Sequence, residues 1–490
     1  MSPMSRFASI RNGESLDFAR VPAVPVSEFR AAVLKAAAAG HRLCALAALP
    51  APPREPAGLL AVLADDAGGK LFLAACEPAR SFPSLTPELP QAHLFEREIF
   101  ESAGVTPEGH PWLKPVRGSA DGAAFFREDG AEVHEVAVGP IHAGVIEPGH
   151  FRFQCHGETV HHLEIKLGYQ HRGAEALLRA GTARRAHAVA ESICGDSAIA
   201  HSWAHCAAHE ALAGAAPPLR AEAIRSIGLE LERLANHIGD LGAISNDIGY
   251  LPATSYFGRM RGDFLNLLLT LTGGRFGKGL LKRGGVAFDI PDGMAGRMLE
   301  SLARSRAEVA DVGEMFFGEP SVLARLEETG VVSAEACRDL GVVGPAARAS
   351  GVDRDVRQDH AHGFYRFRLI PAIKLDSGDV YARAMMRWLE AQRSLEFLAS
   401  LIARLPDGPI SAPCAPAAPG RLAVSLVEGW RGEVCHLART DGGGTLDWYK
   451  VVDPSFHNWM ALTMALRGGE ISDFPVCNKS FNLSYAGHDL

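Results

Sequence analysis

One stripe of aliphatic residues restricts the fold more than any other feature of the chain. Ile224, Ile227, Leu231, Leu234, Ile238 and Leu241 stand three or four positions apart, which aligns them along one face of a helix of about five turns. Glu230, Glu232 and Arg233 fall off that stripe. A helix so patterned needs partners to cover its apolar face, so it predicts a helical bundle. A second helical block, Tyr381–Leu405, is available to pack against it. A Pro-rich connection over 406–419 follows, then a strand-like run Leu422–Val427, a helix-like Trp459–Leu466 and a short loop-like tail.

The pattern upstream is different. A helix-like stretch, Glu28–Ala39, alternates with strand-like runs Leu43–Leu49, Leu59–Leu63 and Lys70–Ala75, which predicts a small α/β unit. Gly118–Gly130 is rich in Gly, Ala and Asp, the composition of a linker. Beyond it Phe151 and Phe153 alternate before a turn at Gly157, with Leu163, Ile165 and Leu167 alternating after it, as in a hairpin. The expected organisation is 1–118 as the α/β domain, 119–135 as linker and 136–490 as the bundle domain. The fold class is α+β.

Composition excludes several functions. The formal net charge is -8 over 490 residues with no dense basic run, so the electrostatic footprint of a nucleic-acid binder is missing. Nine cysteines at irregular positions argue for a reducing compartment rather than a disulfide framework. Met1–Arg20 has no apolar core, unlike a secretory signal. Of the most apolar stretches, Ala31–Pro50 is interrupted by Lys35, His41 and Arg42, and Phe264–Leu271 is far shorter than the ~20 residues of a membrane span. A membrane-embedded partner is compatible with all of this.

Few local motifs carry chemistry. His201, His205 and His209 recur at i, i+4 and i+8, a face suited to zinc or another transition metal. The alternative is a polar face whose imidazoles hydrogen-bond to neighbours. Cys194 precedes this helix, where a helix dipole favours the thiolate; the commoner role is a small buried side chain. No close Cys-x-x-Cys pair exists, so this chain is not expected to bind an iron–sulfur cluster. Neither Gly-x-Gly-x-x-Gly nor a Walker loop is present. Gly273-Gly274 and Gly284-Gly285 are expected at turns ending helices.

Several strings taken together resemble one superfamily. They are Gly139-Pro140-Ile141-His142, the run Gly168-Tyr169-Gln170-His171-Arg172-Gly173-Ala174-Glu175, Leu229 to His237, Arg283-Gly284-Gly285-Val286, Arg348-Ala349-Ser350-Gly351 with Asp355-Val356-Arg357, Glu428-Gly429 with Arg431-Gly432-Glu433, and Asp453 to Asn458. Their order resembles the large subunit of membrane-bound, energy-converting nickel–iron hydrogenases and its relative, the D-type NADH-quinone oxidoreductase component of respiratory complex I. Phe95 to Phe100 with Gly109-His110-Pro111 is similar to the C-type component of complex I. Fusion of the two modules is the arrangement of formate hydrogenlyase large subunits.

The resemblance implies a site, and the sequence departs from it. Active relatives hold nickel and iron through two cysteine pairs, soft donors suited to low-valent metals. The matching positions here are Cys194 and Ser197, then Ser484 and Gly487, so one thiolate of four remains and no nickel–iron centre is expected. The two quinone-facing donors of complex I relatives, a His and a Tyr, correspond to Ile146 and Gly195. Buried ionisable groups implied to persist are His142, His171, Glu175, His201, Asp247, Arg283, Arg348, Asp355 and Arg357. Glu175 matches a proton-relaying carboxylate, and Asp247 matches the partner of the quinone histidine. For Arg348 and Arg357 a purely structural ion-pair network is the competing reading.

The function the resemblance implies is a peripheral-arm subunit on the cytoplasmic side of the inner membrane. Its implied partners are an iron–sulfur small subunit and membrane antiporter-like or proton-channel subunits, with clusters in those partners and no cofactor in this chain. The alternatives are an active hydrogenase or quinone-reducing subunit, a non-catalytic assembly subunit, and a zinc enzyme built on the three-histidine face.

Overall fold

A computed structural model of the chain describes residues 6–52, 55–118, 125–142 and 146–490. Part of the stretch expected as a linker, 119–124, lies outside the described residues. The bundle forms around the predicted helix, which runs Leu219–Asp247 and starts directly after Pro217-Pro218, where proline's fixed φ favours helix entry. It packs against Leu251–Thr272 and Val380–Ile402, and Asp292–Phe317 closes the outer side against both of these helices. Glu230, Glu232 and Arg233 are buried as fully as the stripe. A helix buried all round needs partners for its charges, and those partners assemble the network described below.

Among the described residues, three sheets of three or more strands flank the bundle. The N-terminal α/β unit has a five-stranded sheet in which Lys70–Ala79 pairs with Ala8–Ile10, Ala23–Val24 and Ala57–Asp65, and Ala57–Asp65 pairs with Arg42–Ala48. Val26–Ala38 is its predicted helix. The hairpin His150–His156 with Thr159–Lys166 gains a third strand, Val133–Val138. The third sheet is antiparallel, in the order Leu446–Val452, Gly432–Thr440, Arg421–Gly429, Ser15–Asp17. Helix Ala198–Ala213, which bears the three histidines, packs on Arg421–Gly429 and Gly432–Thr440.

Ser15–Asp17 therefore leaves the α/β unit to complete a sheet whose other strands lie beyond residue 420. Asn12 holds it there, accepting from Leu426 N at 2.7 Å and donating to the Leu426 carbonyl at 2.9 Å.

Two local expectations are corrected. The C-terminal tail is two helices, Phe474–Phe481 and Tyr485–Asp489, because Ser484 caps the second one through its hydroxyl. Gly273 ends a helix in the left-handed conformation as expected, but Gly284-Gly285 turns between two short strands, Leu281–Lys282 and Gly285–Val286.

Candidate functional site

Two segments almost 300 residues apart meet at Cys194. Its buried Sγ lies 3.0 Å from Asp196 Oδ1 and 3.1 Å from Ser484 Oγ, and Arg431 Nη1 approaches it to 3.3 Å. Arg431 grips Asp196 with both terminal nitrogens, at 2.5 and 2.9 Å, and its Nε donates to the Asn482 carbonyl. Ser484 Oγ accepts from Gly487 N at 2.8 Å, and Ser484 N donates to Ser455 Oγ at 2.8 Å. Burial pushes the Cys194 thiol well above its usual range, and Asp196 pushes it further. That favours the small buried side chain over the thiolate, since a local carboxylate and desolvation outweigh a helix end whose first residue, Ala198, is four positions away. Ser197 is buried and makes no capping bond with its side chain.

Gly487 completes the pocket by lacking a side chain. A β-carbon there would stand 2.5 Å from the Asp453 carboxylate, closer than any packing tolerates. Asp453 is itself buried, accepting from Ser455 N at 2.8 Å and meeting His201 Nε2 at 3.0 Å. Burial works to raise its pKa, but the His201 hydrogen bond and Arg431 hold it below the usual value. Neither Arg431 nor Asp453 was singled out in the sequence as a site residue. Only the string Arg431-Gly432-Glu433 and the run from Asp453 marked them.

The three histidines do not converge on one point. His201 uses Nε2 on Asp453 and Nδ1 on His436 Nε2 at 3.1 Å. His205 Nδ1 lies 3.0 Å from Tyr449 Oη, and His209 Nε2 accepts from Arg283 Nη2 at 3.0 Å. Among the described residues no group of three or more His, Cys, Asp or Glu side chains is arranged to hold a metal ion. The zinc face is corrected accordingly, because each ring turns to a different strand or loop. Burial first, then neighbouring cations and rings, drives His205 well below its ordinary pKa and His209 to about 3.

Glu175 stands on the wall of a cleft of about 810 Å³ between the α/β unit and the bundle domain, with Glu98, Arg117, His171, Tyr449 and Lys450. Lys450 Nζ reaches Glu175 at 2.9 Å and Glu98 at 2.6 Å. His171 and Asp247 are exposed, so neither is the buried group the resemblance implied. Asp247 is the last residue of the long helix, where the chain emerges to solvent. His142 is half-buried, its Nε2 shielded from solvent and without a partner among the described residues, and Ile146 is exposed. Arg283 is half-buried.

Arg348, Asp355 and Arg357 belong to a separate buried network centred on the long helix. Arg348 binds Glu390 at 2.7 Å and Glu428 at 2.8 Å; Arg357 binds Asp355 at 2.6 Å and Glu230 at 3.2 Å; Arg233 binds Glu230 at 3.2 Å. His237 Nε2 meets Glu390 at 2.9 Å. Burial and Asp355 raise Glu428 to about 7, while burial lowers His237 to about 4. Four carboxylates thus face three guanidiniums and a neutral imidazole. Glu428 is on strand Arg421–Gly429, and the turn residues Trp430 and Arg431 follow directly after it, which joins this network to the Cys194 pocket through the backbone.

The chain is similar over most of its length to known proteins. Residues 247–423 match the 49 Kd subunit of respiratory-chain NADH dehydrogenase, and residues 60–121 match its 30 Kd subunit. Formate hydrogenlyase subunit 5 of Escherichia coli (strain K12) is 30% identical over 438 residues, covering 83% of this chain and 77% of that protein. The membrane-bound hydrogenase subunit alpha of Pyrococcus furiosus is 30% identical over 365 residues, 71% of this chain and 85% of that one. A chain from the membrane-bound sulfane sulfur reductase, an archaeal respiratory membrane complex, superposes with a TM-score of 0.69 at 25% identity, covering 73% of this chain and 99% of that chain. The chain belongs to the family that unites the large subunits of membrane-bound hydrogenases and formate hydrogenlyase with the 49 Kd subunit of complex I, and it carries a 30 Kd-like module in the same polypeptide.

Proposed function

We propose that this chain is the peripheral-arm large subunit of a membrane-bound complex related to hydrogenases and complex I, that it holds no nickel–iron centre, and that it supplies a proton-relay and coupling scaffold. The observation that carries the reading is the content of the Cys194 pocket. Cys194 is one soft donor; Ser484 is a hydroxyl engaged in capping, Gly487 offers no donor, and the Arg431 guanidinium stands against the thiol. A cation 3.3 Å from the sole sulfur repels a second cation there, and hard, protonated oxygens do not replace thiolates. The residues present do not fit the centre, so no step of chemistry is routed through it.

The relatives are subunits of membrane-bound complexes, and among the described residues no helix is long and apolar enough to cross a bilayer. Attachment then falls to partners, an iron–sulfur small subunit and antiporter-like membrane subunits, at the cytoplasmic face. Shape retained without metal ligands favours coupling over chemistry at this subunit. Purifying the complex natively and measuring nickel, iron and zinc alongside hydrogen uptake tests the reading. Iron without nickel and no hydrogen uptake is the expected result; nickel near one per chain with uptake would overturn it.

A further inference from the structure

The three-histidine helix contributes to a buried chain that the Cys194 pocket alone does not explain. His201 Nε2 lies 3.0 Å from Asp453 Oδ2, His201 Nδ1 3.1 Å from His436 Nε2, His436 Nδ1 2.8 Å from Tyr449 Oη, and Tyr449 Oη 3.0 Å from His205 Nδ1. Both nitrogens of His201 and of His436 are used, each on a different neighbour. His205 Nε2 is buried with no partner among the described residues. All five side chains are at most 4% exposed. Imidazole is the side chain that can accept a proton at one nitrogen while releasing another from the opposite one, and a phenol does the same at one oxygen.

We infer that His205, Tyr449, His436 and His201 form a proton route ending at Asp453, on the wall of the Cys194 pocket. This rests on the proton-relay reading above and names its path, which runs through the histidine helix and the buried sheet rather than through Glu175. In the resting arrangement His205 Nδ1–H donates to Tyr449, Tyr449 O–H to His436 Nδ1, His436 Nε2–H to His201 Nδ1, and His201 Nε2–H to the Asp453 carboxylate. A proton arriving at the open lone pair of His205 Nε2 moves each of these protons one place along. His205 Nδ1–H passes to Tyr449 as the phenol gives its own proton to His436; His436 Nε2–H passes to His201; His201 Nε2–H passes to Asp453. One proton enters, one appears on the carboxylate, every intermediate member ends neutral, and no electron moves.

The surroundings suit such a path. Burial holds His205 and His436 well below their ordinary pKa, so they stay neutral, as a relay without trapped charge requires. Beyond His205 the His209 ring lies 4.5 Å away and the His187 ring 6.1 Å away. His187 and the Arg283 that binds His209 are both part-exposed, so they supply the outer end. Arg431 draws on Asp453 from the pocket side.

Solvent exchange of the imidazole N–H groups of His201 and His436 tests the route on the full chain, with the backbone amides of Ala198–Ala213 as the internal gauge of local opening. With histidine labelled by nitrogen-15 and signals assigned from single His→Gln variants, both N–H groups are expected to exchange about 100-fold or more faster than those amides, the range of an aligned proton transfer. Tyr449→Phe removes the one oxygen shared by His205 and His436 and is expected to slow imidazole exchange to the amide rate while leaving the amides unchanged. His205→Gln provides the same test without altering the sheet. Imidazole exchange no faster than the amides in the parent chain, or unaltered in both variants, would overturn the route. Finding nickel in the complex would sink the metal-free reading but leave this exchange result standing, so the two failures are separable.

Discussion

Around Cys194 the chemistry turns on which single side chains carry a donor and which a charge. Ser197, Ser484 and Gly487 stand where the resemblance implies thiolates, a departure visible in the letters themselves. What fills the pocket instead was not legible, because Arg431 and Asp453 reach it from a turn and a helix cap more than 230 residues from Cys194. Asp247 and His171 failed as buried groups for a related reason: a motif match fixes type and order, not exposure. Glu232 shows the reverse case. It reads as a polar residue off the stripe, yet it is buried and accepts from Ile199 N at 2.7 Å and Ala200 N at 3.2 Å, and burial raises it to about 8. Its folded-state pKa exceeds the unfolded value, so the native state binds the extra proton and stability falls as pH climbs from about 4.5 to about 8. Denaturant titrations at about pH 5 and about pH 8 should show the parent losing more stability over that interval than Glu232→Gln does. Equal losses in the two proteins would mean that Glu232 is ionised throughout.

At the scale of elements, periodicity found the long helix, Val380–Ile402 and the hairpin, because apolar spacing is a local signal. It missed the charged interior of the bundle, where Glu230 and Arg233 lie among Arg357, Arg348, Glu390 and Glu428. Periodicity assigns such residues to solvent; only the packing of helix Val380–Ile402 and strand Arg421–Gly429 against the long helix supplies their partners. Arg348 is the member that links helix to strand. Arg348→Met leaves Glu390 and Glu428 buried without it and should destabilise the chain by about 3–5 kcal/mol, read from the midpoint of urea unfolding. A loss under about 1 kcal/mol would show the network to be replaceable by apolar packing, as some buried ion clusters are.

For the whole molecule, the α/β unit and the bundle domain share more than a covalent link. Arg42 donates from Nη1 to Glu433 at 2.7 Å and from Nε to Asp66 at 3.0 Å, and Asp66 also takes Arg354 at 3.1 Å and His360 at 3.0 Å. The boundary visible in the sequence near residue 118 is thus a change of pattern rather than a mechanical seam. Calorimetry should show one unfolding transition for the parent, and Arg42→Met should lower its midpoint by several degrees without splitting it; two separate transitions in the parent would contradict this coupling. Strand Ser15–Asp17 adds a consequence in time. Ser15 and Arg421, which bond to each other, are 406 residues apart, and a ribosome adding roughly 5–20 residues per second needs about 20–80 s to make that interval. Through that period the first strand of the last sheet has emerged and has nothing to pair with. The cell must therefore keep this segment from pairing wrongly for most of the chain's synthesis, and nascent chains stalled before residue 421 should be the form that chaperones hold longest.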